Sequence, residues 1–102
     1  MRRIPLAQLN GFTTAEIIRT VMENNPQGMT AVEIRKRVRV LDAVERAEKR
    51  ASKVLDLEDA DHAVLAAAIE AFPFAKATRE LLTVIDAVSQ ARDPDEKPAA
   101  AA

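Results

Sequence analysis

The sequence predicts an all-α fold: a small four-helix domain with a long second helix and a disordered C-terminal tail. Glycine is rare, with two residues in 102, and the aromatic side chains are limited to three phenylalanines. The abundant alanine and aliphatic residues favour helices over strands. Five prolines divide the chain into segments of helical length, because proline interrupts the interior of a helix.

Two threonines mark the starts of the first two helices. Thr13 is followed three residues later by Glu16, and Thr30 is followed in the same way by Glu33. This is the capping-box pattern, in which the threonine and glutamate oxygens accept hydrogen bonds from backbone N–H groups at the helix start. Helix one is predicted over 14–24, where the turn "NNPQG" ends it.

Helix two is predicted to begin at Thr30 and to continue to Lys53 or Leu55, because neither glycine nor proline intervenes. At about 100° per residue, its apolar residues share one side. They are Ile34, Val38, Val40, Leu41, Val44, Ala47, Ala51 and Leu55. The opposite side carries a basic ridge, which consists of Arg35, Lys36, Arg39, Arg46, Lys49, Arg50 and Lys53. Arg37 lies on the apolar side, where its stem is expected to follow the edge of the core.

The second half of the chain predicts two shorter helices that are separated at Pro73. The segment "VLDLEDAD" could form a short strand, but Asp56 or Asp59 is the preferred N-cap of helix three. The apolar face predicted for helix three consists of Leu65, Ala68, Ile69 and Phe72. Helix four is predicted over 77–91, and its inward face consists of Leu81, Leu82, Ile85 and Val88.

The predicted domain covers residues 1–91, and the flexible tail covers residues 92–102. Pro5 lies in a short extended segment before helix one. The tail, "RDPDEKPAAAA", has no apolar face to bury. No apolar run is long enough to cross a bilayer and cysteine is absent, so we expect a cytoplasmic protein without disulfides.

The basic ridge allows two interpretations. Its cations would attract phosphates or an acidic protein surface. The pairs Asp42–Arg46 and Glu45–Lys49 also have the favourable i,i+4 order of an ordinary solvated helix. No aromatic residue accompanies the cations, which argues against stacking on the bases of a single strand. We therefore favour a solvated face or a protein contact over a nucleic-acid contact.

The stretch "TTAEIIRTVMENNPQGMTAVEIRKRVRVLDAVERA" resembles the opening of winged-helix regulators, with a helix, a polar turn and a second helix. This partial resemblance to helix-turn-helix proteins implies DNA binding through the basic face of helix two. Arg35 stands where that pattern has a small residue, and Arg39 stands where it has the glycine of the turn. The segment "KVLDLEDADHAV" provides no hairpin for a wing. DNA-binding transcriptional regulation is therefore the alternative function.

A longer pattern, "GMTAVEIRKRVRVLDAVERA", "LEDADHAVLAAAIEAFPFA" and "LLTVIDAV", resembles small helical accessory proteins of phages and prophages. The resemblance spans most of the chain. It implies a short regulatory or assembly factor that acts by binding, and it assigns no functional residue.

The sequence contains no pattern that indicates an enzyme, a cofactor or a metal site. The acidic run at 56–61 lacks the spacing and the glycine of a calcium loop, and a role at the start of helix three explains it. His62, the single histidine, borders the core and is expected to make a packing or hydrogen-bonding contact. Ser52 and Ser89 have no evident base, so we expect a protein without catalytic activity.

The predicted function is that of a non-enzymatic helical protein that binds a protein partner through one surface. The contact would involve the basic ridge or the hydrophobic corner formed by Phe72, Pro73 and Phe74. Both rings of that corner could instead seal the core at the bend. The wide apolar side of helix two could also be shared in a homodimer. We expect neither a cofactor nor a membrane contact.

Overall fold

The computed structural model describes residues 1–93, which form two short strands and four helices. The elements in chain order are β1 (Arg2–Pro5), α1 (Thr14–Glu23), α2 (Ala31–Lys49), β2 (Val54–Leu57), α3 (Asp59–Ala71) and α4 (Arg79–Ser89). Helix α2 packs against α1, α3 and β2, whereas α4 packs against α3 and β1. The four predicted helices are confirmed, although several of their ends differ from the prediction.

The prediction of an all-α fold is wrong in one respect, because β1 and β2 form a two-stranded antiparallel sheet. In its register, Ile4 pairs with Leu55 and Arg2 pairs with Leu57. The three apolar side chains are buried, so the sheet closes one side of the core. The extended segment predicted at Pro5 is the end of β1.

The threonine caps of the first two helices are confirmed. The Thr13 hydroxyl accepts a hydrogen bond from the Glu16 N–H at 3.1 Å, and the Thr30 hydroxyl accepts one from the Glu33 N–H at 3.2 Å. Each bond satisfies an N–H group that has no partner within the first turn. These local signals fix where α1 and α2 begin.

Helix α2 ends at Lys49, so the predicted end at Lys53 or Leu55 is wrong. Leu55 belongs to β2 and is buried there. A continuous helix to Leu55 would leave β1 without its antiparallel partner. The pairing of β2 with β1 therefore sets the length of α2 more strongly than local helix propensity does.

The turn after α2 has the hydrogen bonds of a Schellman motif. The N–H of Ser52 donates to the Ala47 carbonyl at 2.9 Å, and the N–H of Ala51 donates to the Glu48 carbonyl at 3.0 Å. Ala51 itself has a φ of 50°, in the left-handed region that glycine usually occupies at this position. Because alanine stands there, the sequence carries no glycine signal for the end of the helix.

The core lies between the helices and the inner side of the sheet. Its large side chains are Ile4, Ile18, Val21, Met22, Val40, Val44, Leu55, Leu57, Leu65, Ile69, Val84 and Val88. On α3 the predicted apolar face is confirmed, since Leu65, Ala68 and Ile69 are buried and Phe72 is half-buried. Helix α3 ends at Ala71, which agrees with the break predicted at Pro73.

The start of α3 differs from the prediction that Asp56 or Asp59 is its N-cap. The N-cap is Glu58, whose side chain accepts no capping hydrogen bond. Asp56 and Asp59 instead form salt bridges with Arg3 and Arg2 of β1, at 2.8 and 3.3 Å. Asp56 therefore links the two strands of the sheet, and Asp59 joins β1 to the beginning of α3.

Helix α4 begins at Arg79, two residues after the predicted start, and ends at Ser89. Thr78 is its N-cap, and the Thr78 hydroxyl accepts a hydrogen bond from the Leu81 N–H at 3.1 Å. A threonine just before an apolar run is the same start signal as in α1 and α2.

The inward face predicted for α4 is only partly right. Val88 is buried, but Leu81 and Ile85 are half-buried and Leu82 is 54% exposed. Val84 occupies the buried position instead. Since α3 and β1 together cover only a narrow strip of α4, part of its apolar surface remains accessible.

The predicted boundary between domain and tail falls close to the last described residues. Arg92, the first residue of the predicted tail, forms an antiparallel bridge with Arg3. The N–H of Arg3 donates to the Arg92 carbonyl at 2.9 Å. The folded region therefore includes Arg92, and the predicted tail from 94 to 102 lies outside the described residues.

Candidate binding surface on helix α2

Arg37 fixes how α2 is oriented against α1. The residue is only 7% exposed, and its guanidinium donates to the carbonyls of Val21 and Asn24 at 3.0 and 3.4 Å. The Glu33 carboxylate accepts from both Nε and Nη2 of Arg37. Arg37 thus satisfies carbonyls that the end of α1 leaves unpaired, and its charge suits the negative end of the helix dipole. The predicted position at the core edge is confirmed, and the charged group is buried as well.

Because Arg37 occupies part of the buried face, Ile34 and Val38 point away from the core. The buried residues of α2 are Arg37, Val40, Val44 and Ala47. Ile34 is 45% exposed and Val38 is 43% exposed, so the prediction that both face the core is wrong. The apolar side of the helix is wider than the surface that its neighbours cover.

The basic ridge is accessible along its whole length, since all seven of its residues are exposed. Five lie within α2: Arg35, Lys36, Arg39, Arg46 and Lys49. Arg50 is the C-cap of the helix, and Lys53 lies in the turn before β2. The predicted cationic side is therefore present on α2, with Lys53 outside the helix.

Only two cations of the basic ridge form salt bridges within residues 1–93. Arg39 pairs with Asp61 of α3 at 3.2 Å, and Lys49 pairs with Glu45 at 3.2 Å. The others make no salt bridge in that part of the chain: Arg35, Lys36, Arg46, Arg50 and Lys53. The i,i+4 spacing of Asp42 and Arg46 is not used. Most of the ridge therefore presents charge to the solvent.

The exposed apolar residues adjoin the basic ridge on the outer face of α2. At about 100° per residue, Val38 lies only about 60° around the helix from Arg35. Ile34 and Val38 thus form an apolar strip with cations along one border. This combination of an exposed aliphatic strip and accessible positive charge is the most distinctive surface feature of α2.

The hydrophobic corner is mostly used by the fold itself. The rings of Phe72 and Phe74 contact each other with centroids 5.0 Å apart and planes inclined by 58°. Both rings are half-buried and pack against the core, whereas Pro73 is exposed. The corner therefore seals the bend between α3 and α4, and only its outer edge is accessible.

The acidic run at 56–61 connects elements of the fold. Asp56 accepts two hydrogen bonds from Arg3, from Nε to Oδ1 at 2.8 Å and from Nη2 to Oδ2 at 3.1 Å. The hydrogen-bonded guanidinium of Arg3 holds the pKa of the Asp56 carboxyl below its ordinary value. Asp61 accepts from Arg39 of α2. These carboxylates are paired with arginines, which gives them a structural role.

The histidine and the two serines singled out by the sequence bind backbone carbonyls. His62 Nε2 lies 2.7 Å from the Val88 carbonyl oxygen and so links α3 to the last turn of α4. The Ser52 hydroxyl donates to the Val54 carbonyl at 2.8 Å, and the Ser89 hydroxyl donates to a carbonyl within α4 at 3.3 Å. None of the three forms a nucleophile–base pair within the described residues.

A second uncovered apolar surface lies on α4 and was not predicted. It forms a groove around Leu82, lined also by Phe74, Leu81 and Ile85. The signal was present in the sequence, because Leu81, Leu82, Val84, Ile85 and Val88 together span about 160° of the helix surface. A helix with so wide an apolar surface needs more neighbours than α3 and β1 provide.

No family model matches the chain, and no curated protein and no solved structure is significantly similar to it. Within residues 1–93, no helix is both long and apolar enough to cross a membrane. The surface chemistry of α2 and α4 is therefore what indicates a function.

Proposed function

We propose that this protein is a non-enzymatic helical binding protein, a regulatory or assembly factor of the phage or prophage type. It acts by protein–protein contact through the outer face of α2. The partner surface is acidic and carries apolar side chains that meet Ile34 and Val38. Opposite charge around an apolar centre gives such a contact both affinity and orientation.

The observation that carries this proposal is the exposure of Ile34 and Val38 beside the basic ridge. The two residues are 45% and 43% exposed, and Val32 in the first turn of the same helix is 57% exposed. Protein interfaces combine an apolar centre with a polar rim, and arginine is enriched in them relative to the rest of the surface. A surface that binds only phosphates has no use for exposed aliphatic side chains.

DNA-binding regulation is the second candidate, favoured by the five ridge cations that form no salt bridge within residues 1–93. Two features oppose it. The winged-helix pattern has a turn at the position of Arg39, but helix α2 continues through that residue. The structure therefore has no separate recognition helix after Arg39 within α2. Asp42 and Glu45 are exposed on the same helix and would repel a phosphate backbone.

Site-specific photo-crosslinking from α2 tests the proposal in the cells that produce the protein. A photoreactive amino acid replaces Val38 in the full chain, and a matched control carries it at Thr83, an exposed position on α4. We expect a nuclease-resistant protein adduct from position 38 whose crosslinked peptide contains carboxylates. Ile34→Asp should reduce this adduct at least about tenfold, because it places a charge in the apolar centre.

Three outcomes of this crosslinking experiment would contradict the proposal. Equal adducts from positions 38 and 83, no adduct from position 38, or an adduct that nuclease removes would each reject the proposal. Arg46→Glu combined with Arg50→Glu should weaken the adduct, whereas Leu82→Glu on α4 should leave it unchanged. Circular dichroism of each variant establishes that the exposed substitutions preserve the helices.

A further inference from the structure

Helix α4 carries an apolar groove that no other part of residues 1–93 fills. The buried residues of α4 are Val84 and Val88, and the helix packs against α3 and β1. The groove has a volume of about 480 Å³ and is lined by Phe74, Leu81, Leu82 and Ile85, with Lys76 and Arg79 at its rim. Leu82 is 54% exposed, which is unusual for a large aliphatic side chain in so small a protein.

The residues on this side of α4 have the spacing of a helix-pairing seam. Thr78, Leu82, Ile85 and Ser89 are separated by four, three and four residues; we call them the α4 seam. Arg79 follows Thr78 and Asp86 follows Ile85, so both charges flank the same side of the seam. Neither forms a salt bridge within the described residues.

We infer that the α4 seam pairs with the α4 seam of a second copy of this chain, antiparallel about a two-fold axis. In that arrangement Leu82 of each copy packs against Ile85 of the other. Residue numbers run in opposite directions along the two helices, so Arg79 of each copy lies opposite Asp86 of the other. The two-fold axis repeats this ion pair on the other side of the axis.

Charge complementarity identifies the second copy as the occupant of the groove. The α4 seam is flanked by a base, Arg79, and an acid, Asp86, at the separation that an antiparallel copy requires. On the outer face of α2 the exposed cations outnumber the exposed acids, so a two-fold contact there would bring two basic ridges together. Helix α4 therefore suits self-association, and α2 remains available for a different protein.

The pairing is expected to be weak and concentration-dependent. A helix of 11 residues is only about 16 Å long, so two such helices bury less than the roughly 1,200–2,000 Å² of a standard stable interface. Analytical ultracentrifugation of the full chain, from about 1 μM to about 1 mM, should show a shift from monomer to dimer. Leu82→Glu should raise the dissociation constant at least about tenfold.

Charge exchange tests the antiparallel register. Arg79→Asp alone, or Asp86→Arg alone, places like charges opposite each other twice, and each should weaken self-association on the order of tenfold. An equal mixture of the two single variants should form a heterodimer about as tight as the unmodified dimer, because opposite charges then meet at both sites. Thr83→Glu, exposed on the same helix but outside the α4 seam, should leave the dimer unchanged.

Three outcomes would overturn the inference: a monomer at every concentration, a dimer that survives Leu82→Glu with unchanged circular dichroism, or a mixture of charge variants that associates no better than either variant alone. Ile34→Asp on α2 should leave the dimer intact. Failure of dimerisation is thereby distinguished from failure of the proposed function of α2.

Discussion

Ala51 occupies a backbone conformation that glycine adopts more easily. Its φ of 50° closes the Schellman motif after α2. The left-handed conformation costs an L-residue about 1–2 kcal/mol, and glycine removes this strain from the folded state. Part of that stabilisation is lost, because glycine also gives the unfolded chain more conformational freedom. Ala51→Gly is therefore expected to raise the free energy of unfolding by about 0.5–1 kcal/mol, measured by urea denaturation.

The control for this prediction is the same substitution within a helix. Ala63 is exposed in the interior of α3, and Ala63→Gly should lower the free energy of unfolding by about 1 kcal/mol. If Ala51→Gly destabilised the protein as much as Ala63→Gly does, the left-handed conformation at Ala51 would be contradicted.

Arg37 gives the second prediction at the residue scale. Arg37→Met preserves an apolar stem but leaves the Val21 carbonyl and the Glu33 carboxylate without their donors. The free energy of unfolding should fall by about 2–4 kcal/mol in chemical denaturation. Arg37→Lys should recover little of the stability that Arg37→Met loses, because an ammonium group cannot reproduce the planar set of guanidinium donors. Arg35→Met, at an exposed position, should change stability by less than about 0.5 kcal/mol.

The sequence placed Arg37 at the core edge but could not show that its charge is buried. The helical wheel locates a side chain around α2, and this information is local. The carbonyls of Val21 and Asn24 become acceptors only once α1 and α2 are packed at a particular angle. A different angle would have buried Ile34 and exposed Arg37.

At the scale of elements, the salt bridge between Arg3 and Asp56 joins β1 to β2 and makes the sheet sensitive to acid. The pKa of Asp56 is lowered in the folded protein, mainly by the hydrogen bonds from Arg3. A lowered pKa stabilises the folded state above the pKa of the unfolded state, roughly 3.9 for aspartate. That contribution is lost as the pH falls through the folded-state pKa.

Substitution of Asp56 tests this linkage. Asp56→Asn should be less stable than the unmodified chain at pH 7, and the two should converge as the pH falls below about 3.9. Unfolding free energies measured by denaturant titration between pH 7 and pH 3 provide the comparison. Glu70→Gln, at an exposed position on α3, should follow the unmodified chain at each pH. A constant difference between Asp56→Asn and the unmodified chain would contradict the assigned pKa shift.

Helix starts were predictable from the sequence, whereas the sheet and the end of α2 were not. The starts of α1 and α2 are predictable because the hydroxyls of Thr13 and Thr30 accept hydrogen bonds from backbone N–H groups only three residues away. The sheet depends on pairs such as Arg2 with Leu57, which are far apart in the chain. Such pairing leaves no local pattern in strands of four residues. The end of α2 was not predictable because alanine, not glycine, occupies the left-handed position at residue 51.

At the scale of the whole molecule, the fold has too few elements to cover every apolar side chain. One side of α2 is covered by helices α1 and α3 and by strand β2, and one side of α4 is covered by α3 and β1. Ile34 and Val38 remain exposed on α2, and Leu82 remains exposed on α4. The sequence predicted the solvent exposure of the basic ridge correctly, but it assigned these aliphatic residues to the core. Their exposure is the observation on which both proposed contact surfaces rest.

The most direct test of a protein-binding role for α2 is a salt titration of duplex DNA binding, followed by fluorescence anisotropy. The unmodified chain is compared with a variant that combines Arg46→Glu, Lys49→Glu and Arg50→Glu. We expect no saturable binding by either protein at any salt concentration. The proposal would be contradicted if the unmodified chain bound tightly and the variant did not. In that case the logarithm of the binding constant should fall by about 0.9 per contacted phosphate for each tenfold rise in salt, and α2 would be assigned to DNA.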